Sequence, residues 1–313
     1  MDPSFVRFSI DAGGYIVAHM SDVDIVVVSY NSRGHLRACL DPLARDPRVC
    51  AIVVDNASTD GSLATIEDLD VISVSLSENR GFAHGCNIGW HAGSSPYVLF
   101  LNPDAQADWG SIERLLEVMK CNDEVGAVAP RIVCGDGELD YSQRRFPRIR
   151  STYAQALFLH RIFPSASWTD EVVRGEGAYA APGEPDWVSG ACILVRRTLL
   201  ESLSGLDEGF FMYCEDIDLC RRIWNSGHKV RFEPAAVVRH EGGMSMPRAR
   251  LLPVLAASRL RYASKHRRSS AALLERAGVA LGALTHVLVS RGGAEMRKGH
   301  IGALRVATHA PTT

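Results

Sequence analysis

Along the first 130 residues, apolar runs of strand length alternate with stretches whose apolar residues recur at helical spacing. Asp24-Ile25-Val26-Val27-Val28 is a β-branched run of the kind buried on both faces of a sheet, and Ser29-Tyr30-Asn31-Ser32 ends it. Leu36, Cys39, Leu40 and Leu43 then fall at i, i+3, i+4 and i+7, which predicts a helix with Ser32 as candidate N-cap and Pro47 beyond its end. Ala51-Ile52-Val53-Val54 predicts a second strand, followed by the polar loop Asp55-Asn56-Ala57-Ser58-Thr59-Asp60-Gly61 and a helix reaching Leu69. Val71 to Leu76 predicts a third strand. Glu78-Asn79-Arg80-Gly81-Phe82 leads into a helix where Gly81, Gly85 and Gly89 recur every four residues, a small face that lets a backbone or a ligand approach closely. Tyr97 to Leu101 predicts a fourth strand, and Ile112, Leu115, Leu116 and Met119 an amphipathic helix. This alternation predicts a mostly parallel, doubly wound α/β sheet with helices on both faces.

From Arg131 the pattern breaks. Residues 141–186 are rich in Arg, Pro, Ser and aromatics with poor periodicity, and read as a long, partly mobile connection over the site. Order returns with Trp187 to Val195, a strand, and with Phe210-Phe211-Met212-Tyr213-Cys214-Glu215-Asp216-Ile217-Asp218-Leu219, which continues as a helix that Gly227 terminates. Residues 1–22 show no clear periodicity and stay unassigned, with Met20 an alternative start.

Charge divides the chain. Of its 34 Lys and Arg and 36 Asp and Glu, 12 and 2 fall at or after Pro247, so residues 1–246 keep 22 against 34: an acidic body with a basic tail. No nucleic-acid partner is expected, and the oligomeric state stays open. The eight cysteines include no C-x-x-C pair, which argues against a zinc knot and fits reduced thiols in a cytosolic compartment. No apolar run reaches about 18 residues and no signal-peptide pattern opens the chain, so a cytoplasmic or peripheral protein is expected.

Candidate chemistry collects at the ends of the predicted strands, where ligands bind in open α/β sheets. Asp104, the first charge after the fourth strand, suits a hard divalent cation completed by phosphates and water, and Asn102 shares its side of an extended chain; Asn102-Pro103-Asp104 also reads as a plain turn. Asp55 and Tyr30 fall at the same sheet edge, where a carboxylate can accept a pyrimidine N–H and a ring can stack on the base; an Asx turn and a core-edge aromatic are the alternatives. Glu215, Asp216 and Asp218 crowd a first helical turn that acids stabilise anyway, but the aromatic approach (Phe210, Phe211, Tyr213) can desolvate a carboxylate and hold it as a base. His240, before the glycine pair Gly242-Gly243, is either a ligand or a structural histidine. No G-x-G-x-x-G follows the first strand, which disfavours a dinucleotide fold.

Val28-Ser29-Tyr30-Asn31, Asp55 to Gly61, Glu78 to Phe82 with Asn87, Asn102-Pro103-Asp104, Trp187-Val188-Ser189-Gly190-Ala191 and Phe211 to Asp218 resemble, in order and spacing, the inverting GT-A glycosyltransferases of family 2 and their bacterial rhamnosyltransferase-like branch. The resemblance implies a GT-A fold over residues 23–246, a nucleotide-binding half about 23–130 and an acceptor half about 131–246, with a helical basic extension over 247–313. It implies that Ser29, Tyr30, Asn31 and Asp55 hold the nucleotide, that Asn79, Arg80, Gly81 and Asn87 lie near ribose and phosphates, and that Asn102, Ser189, Gly190 and Asp218 complete the substrate site. Asp104 would bind Mg²⁺ or Mn²⁺ as the last residue of the family's D-x-D motif, with His240 completing the metal shell. Asp216 would be the catalytic base, supported by Glu215. Asn102 stands where the motif's first carboxylate is expected, which implies modest metal affinity.

The donor implied is a dTDP- or UDP-sugar, with dTDP-rhamnose favoured by the branch, and the acceptor a cell-envelope polysaccharide or a polyprenyl-diphosphate-linked saccharide. A sugar-phosphate nucleotidyltransferase would need a Gly-rich phosphate loop that is absent, and a non-catalytic binding module need not keep Glu215-Asp216. In the tail, Arg259, Arg261, Lys265, Arg267 and Arg268 precede Leu273, Leu274, Val279, Leu281, Leu284, Val287 and Leu288. That order suits anionic lipid headgroups at the inner face of the plasma membrane, or a helix packed on the body with a solvated basic face, and the apolar stretch is expected to be too short to span.

Overall fold

The structure, a computed structural model, describes residues 7–10, 16–19, 21–164, 166–242, 247–289 and 293–309. Most of the unassigned 1–22 segment, Met20 included, and Gly243 lie outside the described residues; within that segment β1 (Arg7–Ile10) and β2 (Ile16–His19) pair as an antiparallel ladder.

β3 (Val23–Ser29), β4 (Val49–Asp55), β5 (Val71–Ser75) and β6 (Tyr97–Leu101) form the parallel half of a nine-stranded sheet. All seven residues of β3 are buried because both faces are covered. On one face Val23, Ile25 and Val27 share a core with Leu36 and Leu40 of α1 (Leu36–Leu40) and Leu115 and Met119 of α3 (Trp109–Cys121). On the other, Val26 and Val28 share a core with Cys86 and Trp90 of α2 (Phe82–His91). A Cβ on Gly85 would stand 2.7 Å from Val28 Cγ1, and one on Gly89 2.3 Å from Val26 Cγ1, so the glycine face of α2 serves close approach to the sheet. Two local expectations change. Ser32 does not cap α1, because its hydroxyl accepts from Tyr30 N; and the helix expected to reach Leu69 is a single 3₁₀ turn, Leu63–Ile66.

Beyond β6 the sheet becomes mixed. After β7 (Ala105–Gln106) come β8 (Val125–Val133), β9 (Leu139–Asp140) and the small pair β10 (Gln143–Arg144) and β11 (Trp187–Val188), followed by β12 (Cys192–Arg196) and β13 (Lys229–His240). β12 inserts antiparallel between β6 and β8, giving the order β5-β4-β3-β6-β12-β8-β13-β7 with β9 on β8. α6 (Arg197–Ser202) and α7 (Glu215–Asn225) cover the α2 face of this half.

Residues 141–186 are not a loose connection: they hold α4 (Ile149–Ala156) and α5 (Leu159–Ile162), and they pack on the C-terminal helices α8 (Arg248–His266), α9 (Ser269–Val289) and α10 (Gly293–His309). The joint is polar and largely out of water. Arg259 pairs with Glu171 and Glu275, Arg267 also reaches Glu275, and Thr152 Oγ1 donates to Glu275 (2.8 Å). The expectation that the C-terminal apolar stretch is too short to span is overturned on length: α9 has 21 residues and is long and apolar enough to cross a membrane. Here it lies against α4, α8 and α10 with Glu275 buried and Leu273, Leu274, Leu284 and Leu288 exposed.

Removing Arg259 takes the cation from buried Glu171 and leaves buried Glu275 with Arg267 alone. Arg259→Ala is expected to lower unfolding stability by about 3–5 kcal/mol, read as a shift in the urea midpoint, and a loss under about 1 kcal/mol would contradict the packing described.

Candidate active site

The end of β6 and the end of β13 are tied together by β7. Asn102 N donates to Ala191 O (2.9 Å), Ala105 N closes the turn on Asn102 O (3.0 Å), and β7 sets Ala105 opposite His240. Asp104 Oδ1 therefore lies 3.2 Å from His240 Nε2, and the Asn102 amide lies 3.2 Å from the same nitrogen. Burial pushes the Asp104 carboxyl up, but His240 more than offsets this and holds it below its ordinary value, so it is ionised at neutral pH. One ring nitrogen cannot both donate to Asp104 and accept from Asn102. A carboxylate and an imidazole lone pair facing one point suit a divalent cation that takes its remaining ligands from phosphates and water. Among the described residues there is no cluster of three or more Asp, Glu, His or Cys, so this pair with Asn102 is the donor set the protein offers there.

Across the cleft, α7 begins with Glu215 and Asp216. The chain enters it through two consecutive left-handed residues, Tyr213 (φ 70) and Cys214 (φ 67), a costly backbone for side chains of that size. The turn delivers Asp216 to Gly190: Gly190 N donates to Asp216 Oδ2 (3.1 Å) and Ile217 N to Oδ1 (2.8 Å). Burial raises the Asp216 pKa against the pull of these two amides. Glu215 is raised much further, by burial first and by Asp216 second, and its Oε2 has no partner among the described residues. Burial thus favours the neutral form of both acids, most strongly at Glu215, while two amides favour the charged form of Asp216.

A cleft of about 330 Å³ joins the two clusters. Of the residues expected in the site, Tyr30, Asn79, Asn102, Asp104, Ser189, Gly190, Glu215, Asp216 and His240 line it. Asp55 is buried beside it at the end of β4, its Oδ2 accepting from Ser58 N (3.0 Å) in the Asx turn and its Oδ1 without a partner among the described residues. Ser29 Oγ is likewise buried and unpartnered among the described residues.

Other expected residues act one step back. Asn31, with φ 52, receives a hydrogen bond from Thr59 N (2.9 Å) and so ties the first loop to the second. Arg80 is half exposed and offers its backbone N–H to Asn56 Oδ1 (3.2 Å). Gly81, with φ 95, passes so close to Phe211 that a Cβ would stand 2.3 Å from its carbonyl oxygen.

Two expectations are corrected. Asn87 points away from the cleft and is saturated by Leu206, Glu208 and Trp90. Asp218 is fully buried on the far side of α7, where Arg222, Lys265 and His266 surround it and hold its carboxyl below the ordinary value against the pull of burial. At i+2 from Asp216, a helix turns it away from the cleft. Sequence reasoning also missed Asn56, which lines the cleft and donates to Gly81 O (3.0 Å), and Leu251, which α8 contributes to the wall. Asn56 sits inside the polar loop already singled out; Leu251 carries no local signal.

The model described as glycosyl transferase family 2 matches residues 24–202. Among curated relatives, an N-acetylglucosaminyl-diphospho-decaprenol L-rhamnosyltransferase of Mycobacterium tuberculosis is 32% identical over 245 residues, covering 73% of this chain and 79% of the relative. Rhamnosyltransferase WbbL of Escherichia coli is 28% identical over 232 residues, covering 68% of this chain and 81% of its own. Among solved structures, the mannosyltransferase PcManGT from Pyrobaculum calidifontis, in complex with GDP-Man and Mn²⁺, superposes with TM-score 0.55 at 17% identity over 93% of this chain and 88% of that one, a likeness of fold. With its GT-A fold and a family match over more than half its length, the chain belongs to glycosyltransferase family 2 and is a glycosyltransferase of the rhamnosyltransferase-like branch.

Proposed function

We propose that the chain moves L-rhamnose from dTDP-rhamnose to a hydroxyl of a cell-envelope saccharide carried on a polyprenyl diphosphate, in one displacement that inverts the anomeric carbon. The sugar follows the names of the two rhamnosyltransferases, and the acceptor class that of the Mycobacterium tuberculosis relative. The observation that carries the reading is that one cleft is lined both by Asp104 and His240 and by Glu215 and Asp216.

In this reading residues 23–130 bind the nucleotide and 131–246 the acceptor. Tyr30 stacks on the base, the free Oδ1 of Asp55 accepts its N–H, and Asn79 and Arg80 face ribose and phosphates. Asp104 and His240, with Asn102 beside them, would hold Mg²⁺ or Mn²⁺, whose chemistry is to neutralise charge developing on the departing diphosphate. Asp216 takes the proton of the acceptor hydroxyl while that oxygen attacks the anomeric carbon and the bond to diphosphate breaks on the opposite face. The Gly190 and Ile217 amides fix the carboxylate, and burial favours the uncharged form of Glu215 beside it. The acceptor is met at the inner face of the plasma membrane, and the exposed leucines of α9 in the basic extension suit peripheral docking there.

Asp216→Asn keeps the size of the side chain and one of the two amide contacts, since its NH2 cannot accept the other, and it loses the base: kcat is expected to fall by about 10²–10⁴ with donor Kd unchanged by equilibrium binding, and near-normal turnover would refute the assignment. Because only ionised Asp216 accepts a proton and burial raises its pKa, kcat/KM should fall on acidification with a one-proton midpoint above 3.8; a midpoint at or below that value would contradict the buried base. Flotation with anionic liposomes should weaken in the Leu273→Ser, Leu274→Ser double variant, and unchanged flotation would remove α9 as the docking face.

A further inference from the structure

The larger cavity of the molecule is not the cleft. Helices α8, α9 and α10 of the basic extension, with α4 against them, surround about 850 Å³, within the size range of sites that bury a small molecule. Aliphatic side chains make up much of its wall: Leu252 and Ala256 from α8, Val279 and Ala283 from α9, Met296 and Ala303 from α10, with the polar Thr152, Gln155, His286 and His300 among them. Besides Arg259, two guanidinium groups line it, Arg161 after α4, which stacks on Phe158, and Arg248 in the first turn of α8. Among the described residues neither has a carboxylate within ion-pairing distance, whereas Arg259, deeper along α8, is committed to Glu171 and Glu275.

One helix runs past both spaces. Leu251 lines the cleft, while Arg248, Leu252 and Leu255 on either side of it line the cavity. Arg248 also lies close enough to Tyr213 of the cleft and to His300 of the cavity for its charge to act on both rings. The cavity reaches the surface at Leu255 and Val289, 42% and 56% exposed, so an apolar chain longer than the cavity would leave over an apolar lip. Free phosphate would use the exposed arginines and leave the aliphatic walls in water; a neutral hydrocarbon would use the walls and neither arginine. The complement of a cationic entrance on an aliphatic slot is an amphiphile with a phosphorylated head.

We propose that this cavity receives the isoprenoid chain of a lipid-linked diphosphate acceptor, with Arg248 meeting the diphosphate where α8 passes from cleft to cavity. The proposal rests on the acceptor class given under the proposed function and adds the subsite that reads its lipid.

The test uses the full chain and geranylgeranyl diphosphate as probe, with inorganic diphosphate and geranylgeraniol as controls, by titration calorimetry. Geranylgeranyl diphosphate is expected to bind at least tenfold more tightly than either control. Leu255→Glu, at an exposed position of the lip, should weaken it at least tenfold while leaving inorganic diphosphate affinity unchanged. Gly282→Leu narrows the slot from α9, where a Cβ meets only Ala156 at 3.5 Å, and should do the same if the first variant fails to fold. Equal affinity for geranylgeranyl and inorganic diphosphate, or a wild-type affinity in both variants, overturns the proposal, as does binding to anionic vesicles with none to the monomeric probe. The readout does not need turnover. Chain-dependent binding without rhamnose transfer refutes the proposed function and leaves the cavity assignment standing; transfer without chain-dependent binding does the reverse.

Discussion

Taking the Asp216 carboxylate out of water is costly, and the arrangement around α7 offsets part of that cost with two backbone amides. A buried carboxyl tends to protonate unless hydrogen bonds favour the charged form. Asp216 has two such bonds, from the Gly190 and Ile217 amides, whereas Glu215 Oε2 has no partner among the described residues. Burial accordingly raises Glu215 well above its ordinary value and Asp216 against the pull of its amides. Their position depends on the left-handed pair Tyr213 and Cys214, a conformation that side chains of that size adopt only when the surrounding packing dictates it.

That packing comes from the C-terminal helices. Cys214 and Phe210 share a small core with Tyr262 of α8, and Ser258 Oγ donates to Met212 O (2.7 Å) inside the strained approach. Asp218 anchors the opposite face of α7 to Lys265 and His266 at the other end of α8. The basic extension is therefore not an appendage to a finished enzyme. It braces the turn that presents the base, lines the cleft with Leu251, and encloses the second cavity. Charge asymmetry along the chain has a structural reading here: part of the tail's surplus cations is spent on Glu171, Asp207 and Asp218 of the acidic body.

The parallel half was legible because burial on both faces turns a strand into an unbroken β-branched run, and because the polar loops after each strand hold the candidate ligands at fixed local spacing. Tyr30 and Asp104 could be picked for that reason, and Asp216 from the acids that crowd the first turn of α7 behind an aromatic approach. Pairings between distant residues were not legible. The insertion of β12 between β6 and β8, the β7–β13 register that brings His240 to Asp104, and the packing of α4 on α9 all join segments about 65 to 135 positions apart, with no periodicity to announce them. The errors follow from the same cause. Asn87 and Asp218 are polar residues inside motif-like stretches, and only their partners, Leu206 and Glu208 for one and Lys265 and His266 for the other, reveal them as supports.

The central claim is that Asp216 activates the acceptor from the face of the sugar opposite the departing diphosphate, with no covalent enzyme intermediate. The most direct measurement is the anomeric configuration of the new linkage, read by proton NMR on product formed from a donor of defined configuration. Inversion in every product molecule is the predicted result; retention would contradict the single displacement and the role given to Asp216.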